Sequence, residues 1–219
     1  MGLTIGYQLS TRRRLRLAAV HDLVQRLHGA ARRLGFESVG ELIRVGPDYT
    51  WAFHWPRGAK TFHDLLTPAE GWVFHAVPGE GSESMQVGLC RYKGVAGWRL
   101  RNWCKTQYAS RHGWQHFRDC HRRVVDLLRA CEQAGVRVKV TDEGRFWRTR
   151  SEWSLYRAIT KYDRMVAAFG GALKDAAESA GERVHGPIFS DPRFEHLEAE
   201  GQAKLGSRIS EALRRLPLP

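Results

Sequence analysis

Two observations predict an α+β fold, with a mixed or mainly antiparallel sheet and three main helices packed on one face. Segments with apolar residues at every second position lie beside longer segments in which they recur at steps of three and four. Their order follows no strict strand–helix–strand repeat, so strands and helices are expected in separate layers rather than in a wound parallel sheet. The 219-residue chain is 42% hydrophobic and 26% charged, which supports a real core and argues against disorder.

Residues 3–9 (LTIGYQL) alternate and read as a strand. Ser10 or Thr11 can cap the segment that follows, 12–34, where Leu17, Val20, Val24, Leu27, Ala31 and Leu34 define one helix face. Gly35 suits its end. The run Arg12, Arg13, Arg14 and Arg16 opposes the helix dipole, at a cost of ~0.3–1 kcal/mol, and suits either solvent or an anion. Residues 39–45 predict a second strand, and Gly46-Pro47-Asp48 a turn. Residues 49–55 alternate and allow a strand before Pro56, whereas 60–66 fit no single pattern. Residues 72–77 and 85–92 predict a hairpin around the loop 78–82. That loop lacks a Walker lysine and precedes a strand, so it is no phosphate loop.

Residues 115–132 predict a helix burying Phe117, His121, Val124, Leu128 and Cys131, with Gly135 as its stop. Val136, Val138 and Val140 then alternate with Arg137 and Lys139 in a short strand that ends in the turn 141–144. Residues 151–180 predict a third helix with Leu155, Ile159, Tyr162, Val166, Phe169 and Leu173 inward. Ser151 gives half a capping box, and Glu152 suits the dipole. After a Gly/Pro-punctuated loop at 184–194, the tail 195–219 reads as a short helix with a frayed end. The expected organisation is one α+β domain over 1–194 and a C-terminal tail over 195–219.

Charge is unevenly spread. The chain carries 35 Lys/Arg against 23 Asp/Glu, a net of +12. Between residues 91 and 123 stand nine of those cations against one acid, Asp119, a net of +8. Tyr92, Trp98, Trp103, Tyr108, Trp114 and Phe117 are interleaved with them. Clustered cations draw polyanions by Coulomb attraction and counterion release, and aromatic faces stack on bases. A nucleic-acid partner is expected, RNA or single-stranded DNA before duplex, with Arg99, Arg101, Lys105, Tyr108 and Arg111 as the binding residues. The competing view makes the Trp residues core and the Arg side chains a solvated rim.

Other chemistry is sparser. His112, His116 and Cys120 fall at i, i+4 and i+8, a spacing that two zinc ligands can share. Gly113 interrupts it and no HExxH or CxxC accompanies it, so neither a metal nor a cofactor is expected. His121 lies in the buried stripe and needs a partner, for which Tyr108, Asp142 and Glu143 are in reach. An enzyme on a phosphate-containing or other anionic substrate is therefore the alternative. In it Lys105 holds the anion, Tyr108 or His121 moves a proton, and Asp142 or Glu143 serves as base or metal ligand. Asp142-Glu143-Gly144 equally suits a plain turn. A third reading is a protein-interaction subunit of a larger complex, using the Trp-rich segments. Residues 1–9 have no signal-peptide pattern, and no run of about 18 apolar residues occurs. A cytoplasmic protein with no membrane partner and with reduced Cys90, Cys104, Cys120 and Cys131 is expected.

Three stretches carry a resemblance: GLCRY (88–92), CKTQYAS (104–110) and FEHLEAEG (194–201). They resemble a family of bacterial stand-alone proteins of about this length for which no activity is established. The resemblance implies a bacterial cytosolic protein and places Lys105, Gln107 and Tyr108 in the family's signature.

Overall fold

The computed structural model describes residues 3–11, 15–52, 54, 56, 60–61, 64–179 and 181–214. The chain packs as two compact units, Met1–Leu155 and Tyr156–Pro219. The first holds a seven-stranded antiparallel sheet: β1 (Thr4–Ser10), β2 (Ser38–Val39), β3 (Ile43–Val45), β4 (Glu70–Val77), β5 (Met85–Arg91), β6 (Arg99–Lys105) and β7 (Arg137–Asp142). The order is β2–β4–β5–β6–β1–β7, with β3 also paired to β4. Helix α1 (Leu17–Arg33) lies on β4 and β5, and α2 (Trp114–Gln133) packs on β7 and α1. This is the α+β class that the periodicities predict.

β6 and β7 both run antiparallel to β1. They are therefore parallel to each other, and α2 links them across a gap that β1 fills. Alternation places Ile5, Tyr7 and Leu9 of β1 inward, all buried. Against that layer α1 buries Val20, Leu23, Val24, Leu27 and Ala31. Helix α2 buries the whole expected stripe, Phe117, His121, Val124, Leu128 and Cys131. Each large apolar side chain so buried contributes about 1.5–3 kcal/mol, more than any propensity difference along these segments. The Tyr7 hydroxyl donates to the Gln86 carbonyl at 2.6 Å.

Several elements differ from the sequence expectation, each for a local reason. The strand expected over 39–45 is two short pieces that pair with β4 in registers one residue apart, Val39 opposite Ala76 and Ile43 opposite Val73. Among the described residues of 49–55 no strand forms. One bridge, His54 to Leu66, forms there; Phe53 and Trp55 lie outside the described residues. Side chains tie this segment down instead: Tyr49 Oη meets His75 Nε2 at 2.8 Å, and Tyr92 donates to the Ala52 carbonyl at 3.3 Å. Helix α1 starts at Leu17, with Arg16 at its N-cap and no side-chain cap. Thr11 therefore does not cap it, and its amide pairs with the Trp98 carbonyl. Arg12, Arg13 and Arg14 lie outside the described residues. Residues 99–105 form β6, which the expectation left without an element. A short α3 (Phe146–Thr149) follows β7, and α4 (Glu152–Ser179) then begins with Ser154 N–H donating to Ser151 Oγ at 3.2 Å, the expected half capping box.

The second unit contains most of α4, a 3₁₀ turn at Pro187–Ser190, and α5 (Phe194–Arg214). The tail expected as a short helix is a long one. FEHLEAEG is its first turns: Leu197 is buried, Glu200 pairs with Arg164, and a Cβ on Gly201 would sit 2.2 Å from the Arg164 carbonyl. Among the described residues no helix is long and apolar enough to cross a membrane.

GLCRY likewise has a packing role. A Cβ on Gly88 would stand 2.2 Å from the Trp72 carbonyl oxygen and 2.6 Å from Val73 Cα, both backbone atoms that cannot swing away. Gly88→Ala is therefore expected to destabilise the fold by about 1–3 kcal/mol, the usual cost of overpacking. Urea unfolding monitored by tryptophan fluorescence measures it; an unchanged midpoint would contradict this packing.

Candidate nucleic-acid interface

Directly paired residues on neighbouring strands share a face of the sheet. Ile5, Tyr7 and Leu9 point to the helices, so Thr4, Gly6, Gln8 and Ser10 point the other way. Their partners are Lys105, Trp103, Arg101 and Arg99 on β6. On β7 the partners of Gly6, Gln8 and Ser10 are Thr141, Lys139 and Arg137. The outward face of β6–β1–β7 thus reads in rows: Arg99–Ser10–Arg137, Arg101–Gln8–Lys139, Trp103–Gly6–Thr141, and Lys105–Thr4. Cations stand on both flanking strands above a middle strand of small or uncharged residues. No outward position on these strands is acidic. Arg101, Trp103, Arg137, Lys139 and Thr141 are exposed, Trp103 to 48%.

The charge there is only partly neutralised. Lys105 Nζ lies 3.1 Å from Glu83. Arg99 donates to the Ala96 carbonyl. Among the described residues no ion pair involves Arg99, Arg101, Arg137 or Lys139. The positive field is felt next door: burial, then the charges of Arg99 and Arg101, hold the His54 imidazole below its ordinary range.

The residues singled out in the sequence divide into two groups. Arg99, Arg101 and Lys105 share this face. Tyr108 and Arg111 stand beyond the strand, in a 3₁₀ turn at Gln107–His112, where the Arg111 guanidinium lies 5.8 Å from the Tyr108 ring. Trp98 is core, its Nε1 donating to the Leu15 carbonyl, and Gln107 is buried. Arg137 and Lys139 were legible as the polar half of an alternating strand. Their place beside β6 was not, because it depends on β1 inserting between two segments far apart in sequence.

Behind the face lies a buried polar chain. Thr106 Oγ1 is 2.9 Å from His121 Nδ1, and His121 Nε2 is 3.2 Å from Asp142 Oδ1. An ionised carboxylate only accepts, so Nε2 carries a proton, while the threonine hydroxyl donates to Nδ1 when the ring is neutral and accepts from it when the ring is charged. Of the three partners expected for His121, Asp142 is the one present. Tyr108 is exposed on the 3₁₀ turn, and the Glu143 carboxylate accepts the Thr4 amide at 2.9 Å. Hydroxyl, imidazole and carboxylate stand in the order of a nucleophile, base and orienting acid. Yet Thr106 and His121 are wholly buried. The Asp142 side chain is 2% exposed, and its oxygens also accept the amides of Gly144 and Trp147. The chain acts as a brace joining the ends of β6 and β7 to α2.

His116 bonds the Glu80 carbonyl at 2.8 Å and approaches Cys120 Sγ at 3.5 Å, while Gly113 separates His112 from α2. Among the described residues no group of three or more His, Cys, Asp or Glu is placed to hold a metal ion. Burial pushes up the thiols of all four free cysteines, which suits packing more than reaction.

Comparison with protein-family models, curated proteins and solved structures finds no match.

Burial alone would raise the Asp142 pKa. The hydrogen bond and charge of His121, with the Trp147 and Gly144 amides, outweigh it and leave the carboxyl lowered. A carboxyl whose folded pKa is depressed contributes stability that is complete above its unfolded pKa, and that is lost as pH falls through the folded one. Asp142→Ala is expected to cost about 3 kcal/mol at neutral pH by leaving His121 without its partner. The difference from wild type is expected to shrink as pH falls below the ordinary carboxylate range. Denaturant unfolding of both proteins across pH measures this; a pH-independent difference would show that the brace is not ionic.

Proposed function

We propose that this protein binds nucleic acid, laid on the open face of β6, β1 and β7. The observation that carries the reading is the disposition of charge. Five cations from two strands face outward over an uncharged middle strand, and four of them have no acid partner among the described residues. Unpaired cations on one face pay a repulsion that a polyanion would relieve, with release of its counterions. Backbone phosphates suit the flanking Arg and Lys, while Gln8, Ser10 and Thr141 offer hydrogen-bonding groups between them. An anionic lipid or an acidic protein would share the Coulomb attraction. The outward Trp103 set among these groups adds a flat face on which a base can stack.

The enzyme reading needs proton-transfer groups that converge where a substrate can reach them. His121 and Asp142 are buried, while the exposed Tyr108 stands on the 3₁₀ turn and the exposed Glu143 is bonded to the Thr4 amide.

Affinity for a labelled oligonucleotide is expected to fall steeply with salt, with log K against log salt having a slope of about −0.7 for each phosphate neutralised on a single strand. Arg101→Ala with Lys139→Ala, from the two flanks of one row, is expected to reduce that slope by ~1.4 while the chain still folds. Fluorescence anisotropy across a salt series measures both. Salt-independent affinity, or a slope unaltered in the double variant, would contradict the reading.

A further inference from the structure

Gly6 is a central-strand residue with no structural need to be glycine. Its φ is outside the left-handed region, and among the described residues a Cβ built there meets only the Thr141 carbonyl oxygen, at an ordinary 3.8 Å. The contrast with Gly88, which backbone atoms enclose, is direct. A glycine inside a strand weakens it, and one without a packing reason marks a place where something else approaches the backbone. Gly6 lies in the row Trp103–Gly6–Thr141, between an exposed indole and an exposed threonine, with the Arg101–Gln8–Lys139 row on one side and Lys105 with Thr4 on the other.

We infer that Gly6 is the floor of a base seat: the protein takes single-stranded nucleic acid, and one unpaired base stacks beside Trp103 over the bare Gly6 backbone. The inference rests on the binding reading above and specifies the class of ligand. A base within a duplex keeps its faces against its neighbours and offers none to Trp103, whereas a single strand can splay one out. The flanking cations then hold the phosphates on either side of that base. The seat is specific for exposed bases but not for their sequence, since every base has a stacking face.

The test uses the full chain, a fluorescein-labelled oligothymidylate of about ten nucleotides, and a duplex of the same length as control. Gly6→Val places a β-favouring side chain where there is room, so the melting temperature is expected to hold or rise. Its affinity for the single strand is expected to drop about five- to tenfold, with duplex affinity little changed. Trp103→Ala is expected to lose tenfold or more, and Trp103→Phe to keep most of the affinity. If Gly6→Val fails to fold, Gly6→Ala and the Trp103 pair carry the same comparison. Wild-type binding of the oligothymidylate that is unaltered by the Gly6 and Trp103 substitutions, or lowered equally for duplex, overturns the base seat and leaves the binding reading standing. A wild-type chain that binds neither probe overturns both.

Discussion

The register of β1 is the constraint on which the rest depends. Ile5, Tyr7 and Leu9 are buried, and that burial fixes which side of the strand faces the helices. A slip by one residue would send those three into solvent and bury Thr4, Gly6, Gln8 and Ser10 in their place. Because β1 lies between β6 and β7, its register also sets theirs. Arg99, Arg101, Trp103 and Lys105 come to share a face with Arg137, Lys139 and Thr141 for no other reason. The buried Thr106–His121–Asp142 chain secures the same arrangement at the strand ends, where twist and fraying would otherwise spread the two flanks apart.

Much of this was legible in the sequence, and the misses have physical causes. Helices α1 and α2 were readable because their stripes repeat over four or more turns. The strand β6 was harder to read because its density of charge masks its alternation. Yet Arg99, Arg101, Trp103 and Lys105 alternate with Leu100, Asn102 and Cys104, and that period of two was the signal. At 49–55 alternation describes a side-chain pattern and not the availability of a pairing edge, and among the described residues the pairing there is the His54–Leu66 bridge. Helix α5 was underestimated because small residues such as Gly201 make its contacts, and these carry little hydrophobic signal.

The candidate face was half legible. That Arg99, Arg101 and Lys105 fall together follows from local charge density, which survives folding when the residues lie on one strand. Tyr108 and Arg111 were grouped with them by sequence proximity alone, and a 3₁₀ turn carries them off the face. Thr106 stands inside CKTQYAS, yet nothing local marks its role, which depends on a histidine one helix away. The stretches that stand out as motifs turn out mainly to hold the fold: Gly88 under Trp72, Thr106 on His121, and Glu200 on Arg164. The proposed binding face draws its residues instead from plain alternating strands.

The most direct test of the account is to map the bound surface by amide chemical-shift perturbation on titrating a short single-stranded oligonucleotide into isotope-labelled protein. The account predicts the largest changes at the amides of Thr4, Gly6, Gln8 and Ser10 and of Trp103 and Thr141, with the Trp103 indole N–H shifting most among the tryptophans. Perturbation centred on α1, or on the 3₁₀ turn around Tyr108 with β1 unmoved, would contradict it.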